Sequence, residues 1–356
     1  MLVTMAVGLG VSLGKVAVAA SAYFLLYGLM QPVWGMLSDR IGRVTVIRLT
    51  LMGALLPGLL SAFAPNLAAL LVGRAVAGGL FAAVIPASLV YIGDTVPIST
   101  RQKALVDQLA TSAVATALAT VAAGLAAYLD LWRLAFAAPV VASAVLGLML
   151  ARRLPEPERE DGDASVIERL ATVFRKPWAL LVVLLALIEG GVILGFLTYL
   201  APALESQGFS PAASGLVVGL YGLATLAWTR LLKKVSDRAG AHVLLIMDGG
   251  LLVAGYAAGA LEQNLIGISL AAVFVGGGFA FMHSTLQTWA TEVVPEARAT
   301  VISLFAAALF TGSGLSTSAA SLAEDGAFSL LFGIAALIAL PLGLLAGLAR
   351  HRYSRK

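Results

Sequence analysis

The stretch Gly35-Met36-Leu37-Ser38-Asp39-Arg40-Ile41-Gly42-Arg43 decides how this chain is read, because it sets charges and glycines between two long apolar runs. Gly42 permits a tight turn, and Gly35 lets two helices approach closely. Outward from this turn, the 356 residues are 60% hydrophobic and only 12% charged. A soluble domain of that composition would lack polar surface to cover itself. The apolar residues instead fall in runs of about 20, the length a helix needs to cross a bilayer.

Residues 1–15 are too short and glycine-rich to span, and Lys15, with no polar cleavage region after it, speaks against a signal peptide. Candidate spans follow at 16–37, 45–63, 67–92, 105–128 and 131–150. The stretch 151–177 carries Arg152, Arg153, Pro155, Pro157 and clustered acids, and reads as a cytoplasmic linker with some amphipathic helix. Six more spans fall at 178–201, 211–231, 242–261, 265–289, 299–320 and 327–349. The expected fold is an all-α polytopic membrane protein with an N-terminal bundle in 1–150 and a C-terminal bundle in 178–356.

Charge sets the orientation. Placing the 38–48 loop inside also puts loops 93–104, 151–177, 230–241 and 291–298 and the tail inside, with 20 of the 23 basic residues. Positive loops resist translocation, so the C-terminus is expected in the cytoplasm and the chain in the cytoplasmic membrane. The net charge of +4 thus needs no nucleic-acid partner. Zero cysteines exclude disulfides, thiolate metal sites and cysteine nucleophiles. No phosphate-binding G-x-x-x-x-G-K-[ST] loop and no H-E-x-x-H cluster occurs, so neither nucleotide nor metal chemistry is expected.

A shift of 198 positions lays Ser236-Asp237-Arg238 and Gly240 on Ser38-Asp39-Arg40 and Gly42. The same shift, without a gap, pairs Gly78, Gly79 and Phe81 with Gly276, Gly277 and Phe279, and Val96-Pro97 with Val294-Pro295. Two parallel copies of one design are implied, the organisation of transporters whose substrate site lies at the repeat interface. The first helix of the second copy, 178–201, maps onto positions mostly before Met1. Five helices plus six are therefore visible where six plus six are expected, either from a late start assignment or as a natural variant.

The loop G-x-x-x-D-R-x-G-R resembles the signature loop of the major facilitator superfamily of secondary transporters, and the topology and repeat extend that resemblance from about residue 2 to 349. The resemblance implies a gate built from Gly35, Asp39, Arg40, Gly42 and Arg43, with Asp39 packing near the start of the eleventh helix, close to Ala299. The second copy, with Asp237 and Arg238, lacks the final arginine and reads as a relic. The alternative is a topological anchor, in which Arg40 and Arg43 merely keep the loop inside. Arg74, in Gly73-Arg74-Ala75-Val76-Ala77-Gly78-Gly79, resembles the R-x-x-x-G element that drug–proton antiporters of this superfamily link to proton movement; snorkelling to the outer interface is the alternative. The fifth-helix G-P-x-x-G-G of such antiporters is reduced here to Ala119-Thr120-Val121-Ala122-Ala123-Gly124.

Glu189 lies midway along 178–201, in Leu187-Ile188-Glu189-Gly190-Gly191. A carboxyl at that depth favours its neutral form, which suits a group that takes up and releases a proton, a cation site, or a hydrogen-bonded bridge between helices. His283 and Gln287, spaced i, i+4, share a helix face and are either packing groups or part of a relay. Gln31-Pro32 resembles a polar–proline pair that frees a carbonyl toward a cavity. Asp248, a turn or two into its helix, is expected to pair with Arg238 or a neighbouring base. The reading is a proton-coupled secondary transporter, not an enzyme, which exports drug-like compounds or metabolites as a monomer with a proton gradient in place of a cofactor. Nutrient uptake on the same fold and a truncated, non-transporting interaction protein are the alternatives.

Overall fold

The computed structural model describes residues 1–157, 166–236, 238–317 and 319–355. Among the described residues, ten helices are long and apolar enough to cross a membrane, and Leu134–Leu150 is a shorter apolar one. A short helix α1 (Leu2–Leu9) precedes the first five, α2 (Leu13–Ile41), α3 (Arg43–Ala62), α4 (Leu67–Thr95), α5 (Ser99–Tyr128) and α6 (Leu134–Arg153). The connecting helix α7 (Val166–Phe174) leads to α8 (Pro177–Ser206), α9 (Pro211–Ser236), α10 (Ala241–Leu261), α11 (Leu265–Glu292) and α12 (Pro295–Thr317). A short α13 (Ala320–Glu324) and the last span α14 (Phe328–Tyr353) complete the chain.

Local chemistry sets the boundaries. The Ser12 and Asn66 side chains accept the Lys15 and Ala69 N–H groups, and Asn264 accepts those of Ile266 and Gly267, so α2, α4 and α11 start with capped N-termini. Gly42 at φ 103° separates α2 from α3. The span expected at 131–150 begins instead at Leu134, because Asp130 takes φ 57° and Leu131–Arg133 form a turn. Inside α8 and α11 the ladder opens into π-helical turns at Gly191–Gly195 and Phe279–His283.

The two halves repeat the same contacts. A Cβ at Gly78 would collide with the Tyr23 carbonyl oxygen, and one at Gly276 with the Tyr221 carbonyl oxygen. Both pairs are related by the 198-residue shift. Each half also ties its second helix to its fourth through an indole: Trp34 Nε1 donates to the Gly79 carbonyl and Trp228 Nε1 to that of Val273. The repeated glycines are thus contact points between paired helices, where the absence of a side chain brings backbones together.

The halves meet along α2–α12 and α5–α9. On the first seam Gly28 faces Ala307 and Thr311, Gly314 faces Leu25, and the Tyr27 and Phe310 rings lie 4.2 Å apart. On the second, a Cβ at Gly215 would stand 2.8 Å from the Gly124 Cα, and Gly219 and Gly222 face Ala117 and Ala113. These α5–α9 contacts lie toward the end where α5 finishes and α9 begins. We call this the far side, and the end carrying the 35–43 turn the basic side. α5 packs chiefly on α9 and meets α4 and α6 at few positions.

Candidate functional site

At the basic side, Arg43 organises the turn. Its Nη1 lies 2.8 Å from Asp39 Oδ1 and donates to the Ser38 carbonyl oxygen at 2.9 Å, and its Nε lies 3.4 Å from Asp94 Oδ2 at the end of α4. Asp39 is 61% exposed, so this pair is worth little to stability and is free to exchange partners. Asp39 lines the same cavity as Ala299 and Thr300 at the start of α12, but its carboxylate is engaged by Arg43. Asp237 lies outside the described residues, and Arg238 is exposed.

Sequence reasoning missed the residue that holds this turn in place. Glu156, just beyond α6, accepts the Val44 N–H at 3.0 Å, the Thr45 N–H at 2.9 Å and the Thr45 hydroxyl at 3.0 Å. Its carboxylate caps the N-terminus of α3 and fills the space beside Gly42 that any Cβ would occupy. Partial burial works against its charge, but these hydrogen bonds outweigh that and hold the Glu156 carboxyl below the usual carboxylate range. In the sequence it was one more acid in a linker rich in them.

Between the halves on this side lies a cavity of about 570 Å³. Gly35 and Asp39 line it from α2, Gln287 and Thr291 from α11, and Thr300 and Ser303 from α12. Gln31 is buried one turn above Gly35. His283 sits one turn deeper than Gln287 on α11, with its side chain 19% exposed. Its Nδ1 is 3.1 Å from Oε1 of Glu189, which is fully buried on α8. The two π-turns flank this contact: one starts two residues after Glu189 and the other ends on His283. Such turns are frequent at functional sites because they release backbone groups from the helical ladder.

Asp248 is a correction. Among the described residues it pairs with no base; it is fully buried on α10, facing Gly278 of α11, where a Cβ would stand 3.2 Å from its Oδ1. Neither oxygen has a hydrogen-bond partner among the described residues; the Met282 backbone lies alongside, off the geometry of a full bond. Glu189 is within electrostatic reach of it. Glu189 and His283 thus form a polar pair inside an apolar bundle, and Asp248 is a further buried carboxyl on α10. Arg74 stays apart from them in the first half. Its guanidinium is 4.1 Å from the Tyr23 ring centroid and 5.2 Å from that of Phe136. Ring faces offset part of the cost of a charge held there.

The far side carries a second carboxylate at a helix end. Glu324 Oε1 accepts the Gly14 N–H at 2.8 Å, at the first turn of α2. The Ser12 hydroxyl and the Gly14 N–H hold the exposed Glu324 carboxyl below the usual range.

Two helical bundles with a repeated design meet at glycine-lined seams beside a cavity, the architecture of a multi-pass membrane carrier. A family model described as Major Facilitator Superfamily matches residues 1–317, and the chain belongs to that family. Over 313 residues it is 28% identical to the "Uncharacterized MFS-type transporter YceJ" of Bacillus subtilis (strain 168), which covers 84% of this chain and 77% of the relative. Over 304 residues it is 27% identical to the "Multi-drug resistance efflux pump PmrA homolog" of Lactococcus lactis subsp. lactis (strain IL1403), with 81% and 74% covered. The nucleoside transporter NupG superposes with a TM-score of 0.77 at 14% identity, covering 97% of this chain and 92% of that one. A D-xylose–proton symporter gives 0.71 at 18%, covering 94% and 86%.

Proposed function

We propose that this carrier is a proton-coupled exporter of drug-like compounds or metabolites in the cytoplasmic membrane, with the 35–43 turn and the C-terminus in the cytoplasm. The carrying observation is the contact of fully buried Glu189 with His283, at 3.1 Å, one turn above a residue that lines the cavity. A carboxylate buried in a bundle is costly unless paired or protonated. His283, one turn deeper than the cavity-lining Gln287, gives Glu189 its partner, and this pair is the group through which the reading routes the proton. Asp248, fully buried on α10 with neither oxygen hydrogen-bonded among the described residues, is a further proton-carrying candidate. The efflux-pump relative at 27% identity supports the direction.

Transport follows by alternating access. In the state described, the seams are packed at the far side and the cavity lies at the basic side, where substrate enters from the cytoplasm. Proton exchange at the Glu189 group then accompanies the rocking of the halves. A second reading, proton-driven uptake of a polar nutrient, is favoured by the amide and hydroxyls of Gln287, Thr288, Thr291, Thr300 and Ser303 on one wall of the cavity.

The test uses protein in liposomes with a pH-sensitive dye inside and an imposed proton gradient. Ethidium, D-xylose and uridine serve as probes, and wild type is compared with Glu189→Gln and Asp248→Asn. Ethidium-dependent proton movement lost in Glu189→Gln supports the export reading, and the same behaviour with xylose or uridine selects uptake. Equal proton movement in wild type and Glu189→Gln sinks the assignment of Glu189.

A further inference from the structure

Closure at the far side involves more than glycine packing. α2 belongs to the first half and α13 to the second, and the two meet only at their far-side ends. There Glu324, the last residue of α13, reaches across to the first turn of α2, where its Oε1 accepts the Gly14 N–H at 2.8 Å. The Ser12 side chain, which also accepts the Lys15 N–H, lies beside the same carboxylate. A helix N-terminus presents unsatisfied N–H groups and the positive end of the helix dipole, so a carboxylate supplied there is favoured. Gly14 makes the approach possible, because a Cβ at that position would stand 2.5 Å from Oε1.

This arrangement mirrors the turn at the other end of the same seam. On the basic side the carboxylate comes from the first half, as Asp39, and the helix N-terminus from the second, as the start of α12. The two are not joined: Asp39 is held by Arg43, and the cavity lies between. On the far side the roles of the halves are exchanged and the contact is made.

We propose that Glu324 is the far-side latch of the transport cycle, a carboxylate that holds the first half closed against the second by capping α2. In the far-side-closed state the Glu324–Gly14 contact is made and Asp39 is away from α12. When the halves rock, the first contact breaks, and Asp39 becomes free to cap α12. The far-side-closed state thus carries the Glu324 contact beside the Met1 amine–Glu205 pair, 3.2 Å across the halves, and the basic-side contact replaces the Glu324 one when the halves rock.

The chain has no cysteine, so one reporter can be introduced alone. Ser21, 4% exposed, shares a helix face with Gly14 and with Leu25, which packs on Gly314 of α12, so opening of the α2–α12 seam is expected to expose it. The measurement is the rate at which a membrane-impermeant maleimide labels Ser21→Cys in liposomes. Glu324→Ala and Gly14→Ala act on the contact from opposite halves, and each should raise the rate roughly two- to fivefold, the usual weight of one charge at a helix terminus. Combining them should add nothing further, because both remove the same contact. Asp325→Asn, an exposed neighbouring acid, should leave the rate unchanged. Unaltered labelling in both single variants, or fully additive effects in the double variant, overturns the latch. Because the assay uses neither substrate nor a proton gradient, its outcome does not depend on the coupling ion or the direction of transport.

Discussion

Replacing Gly215 by alanine tests whether the far-side seams close as rigid bodies. The new Cβ would stand 2.8 Å from the Gly124 Cα and 3.0 Å from the Thr120 carbonyl oxygen. Carbon atoms in contact normally sit about 3.5–4.0 Å apart, so α5 and α9 must separate locally by about 1 Å. Overpacking of this kind costs about 1–3 kcal/mol. The strain exists only while the seam is closed, so it shifts the balance between conformations. At 1.4 kcal/mol per tenfold, the far-side-open population should rise about five- to 150-fold. The assay is labelling of Ser21→Cys, which sits on the other seam, α2–α12. Rigid-body opening raises labelling there too, whereas local accommodation at α5–α9 leaves it unchanged. Unchanged labelling would refute the reasoning. Gly250→Ala, where a Cβ meets nothing within 4 Å, is the matched control.

The remaining predictions are briefer. Gly190→Ala drives a Cβ into the Leu309 carbonyl oxygen inside one half, so it should lower the thermal midpoint of the purified protein, at a cost of about 1–3 kcal/mol, without favouring either conformation. Glu156→Ala removes the cap of α3 and should cost about 0.5–2 kcal/mol of stability in the same measurement. Because the folded state lowers the Glu156 carboxyl, its contribution is present above the ordinary carboxylate pKa and lost as the pH falls through the lowered value. The stability gap between wild type and Glu156→Ala should therefore be constant near neutrality and shrink below about pH 4. Asp39→Asn weakens the basic-side partner of the latch, so it should slow labelling of Ser21→Cys, opposite in sign to Glu324→Ala; faster labelling would contradict the exchange of contacts.

The sequence was most informative where a residue's role is fixed by its neighbours in the chain. Gly78 and Gly276 were found by their shared offset, and both bring a helix onto a tyrosine carbonyl, Tyr23 and Tyr221, which the same offset relates. The helical spans followed from composition alone. Direction around a helix axis was harder to read. Asp248 stands two turns from the basic end of α10, which suggested a surface base as partner; its side chain instead turns toward the space left by Gly278. Nothing local marks the contact of Glu189 with His283, which are 94 positions apart, since it depends on how α8 meets α11. Glu156 and Glu324 were hidden for a related reason. Each caps a helix distant in sequence, 112 residues from Val44 and 310 from Gly14, and each stands in a connecting segment where acids are expected.

The attachment of α5 to α9 constrains how the molecule is made. During synthesis α5 enters the bilayer before α8 and α9 exist, so it must wait there without its main partner. Its hydroxyls suit that interval: Thr111, Thr116 and Thr120 each donate to the carbonyl four residues earlier and leave no donor facing lipid. The first half is therefore expected to complete its packing only after the second has been translated. The two halves repeat one design but are not interchangeable modules. A chimera joining the first half of this chain to the second half of a relative inherits a seam in which Gly124 must find a glycine opposite.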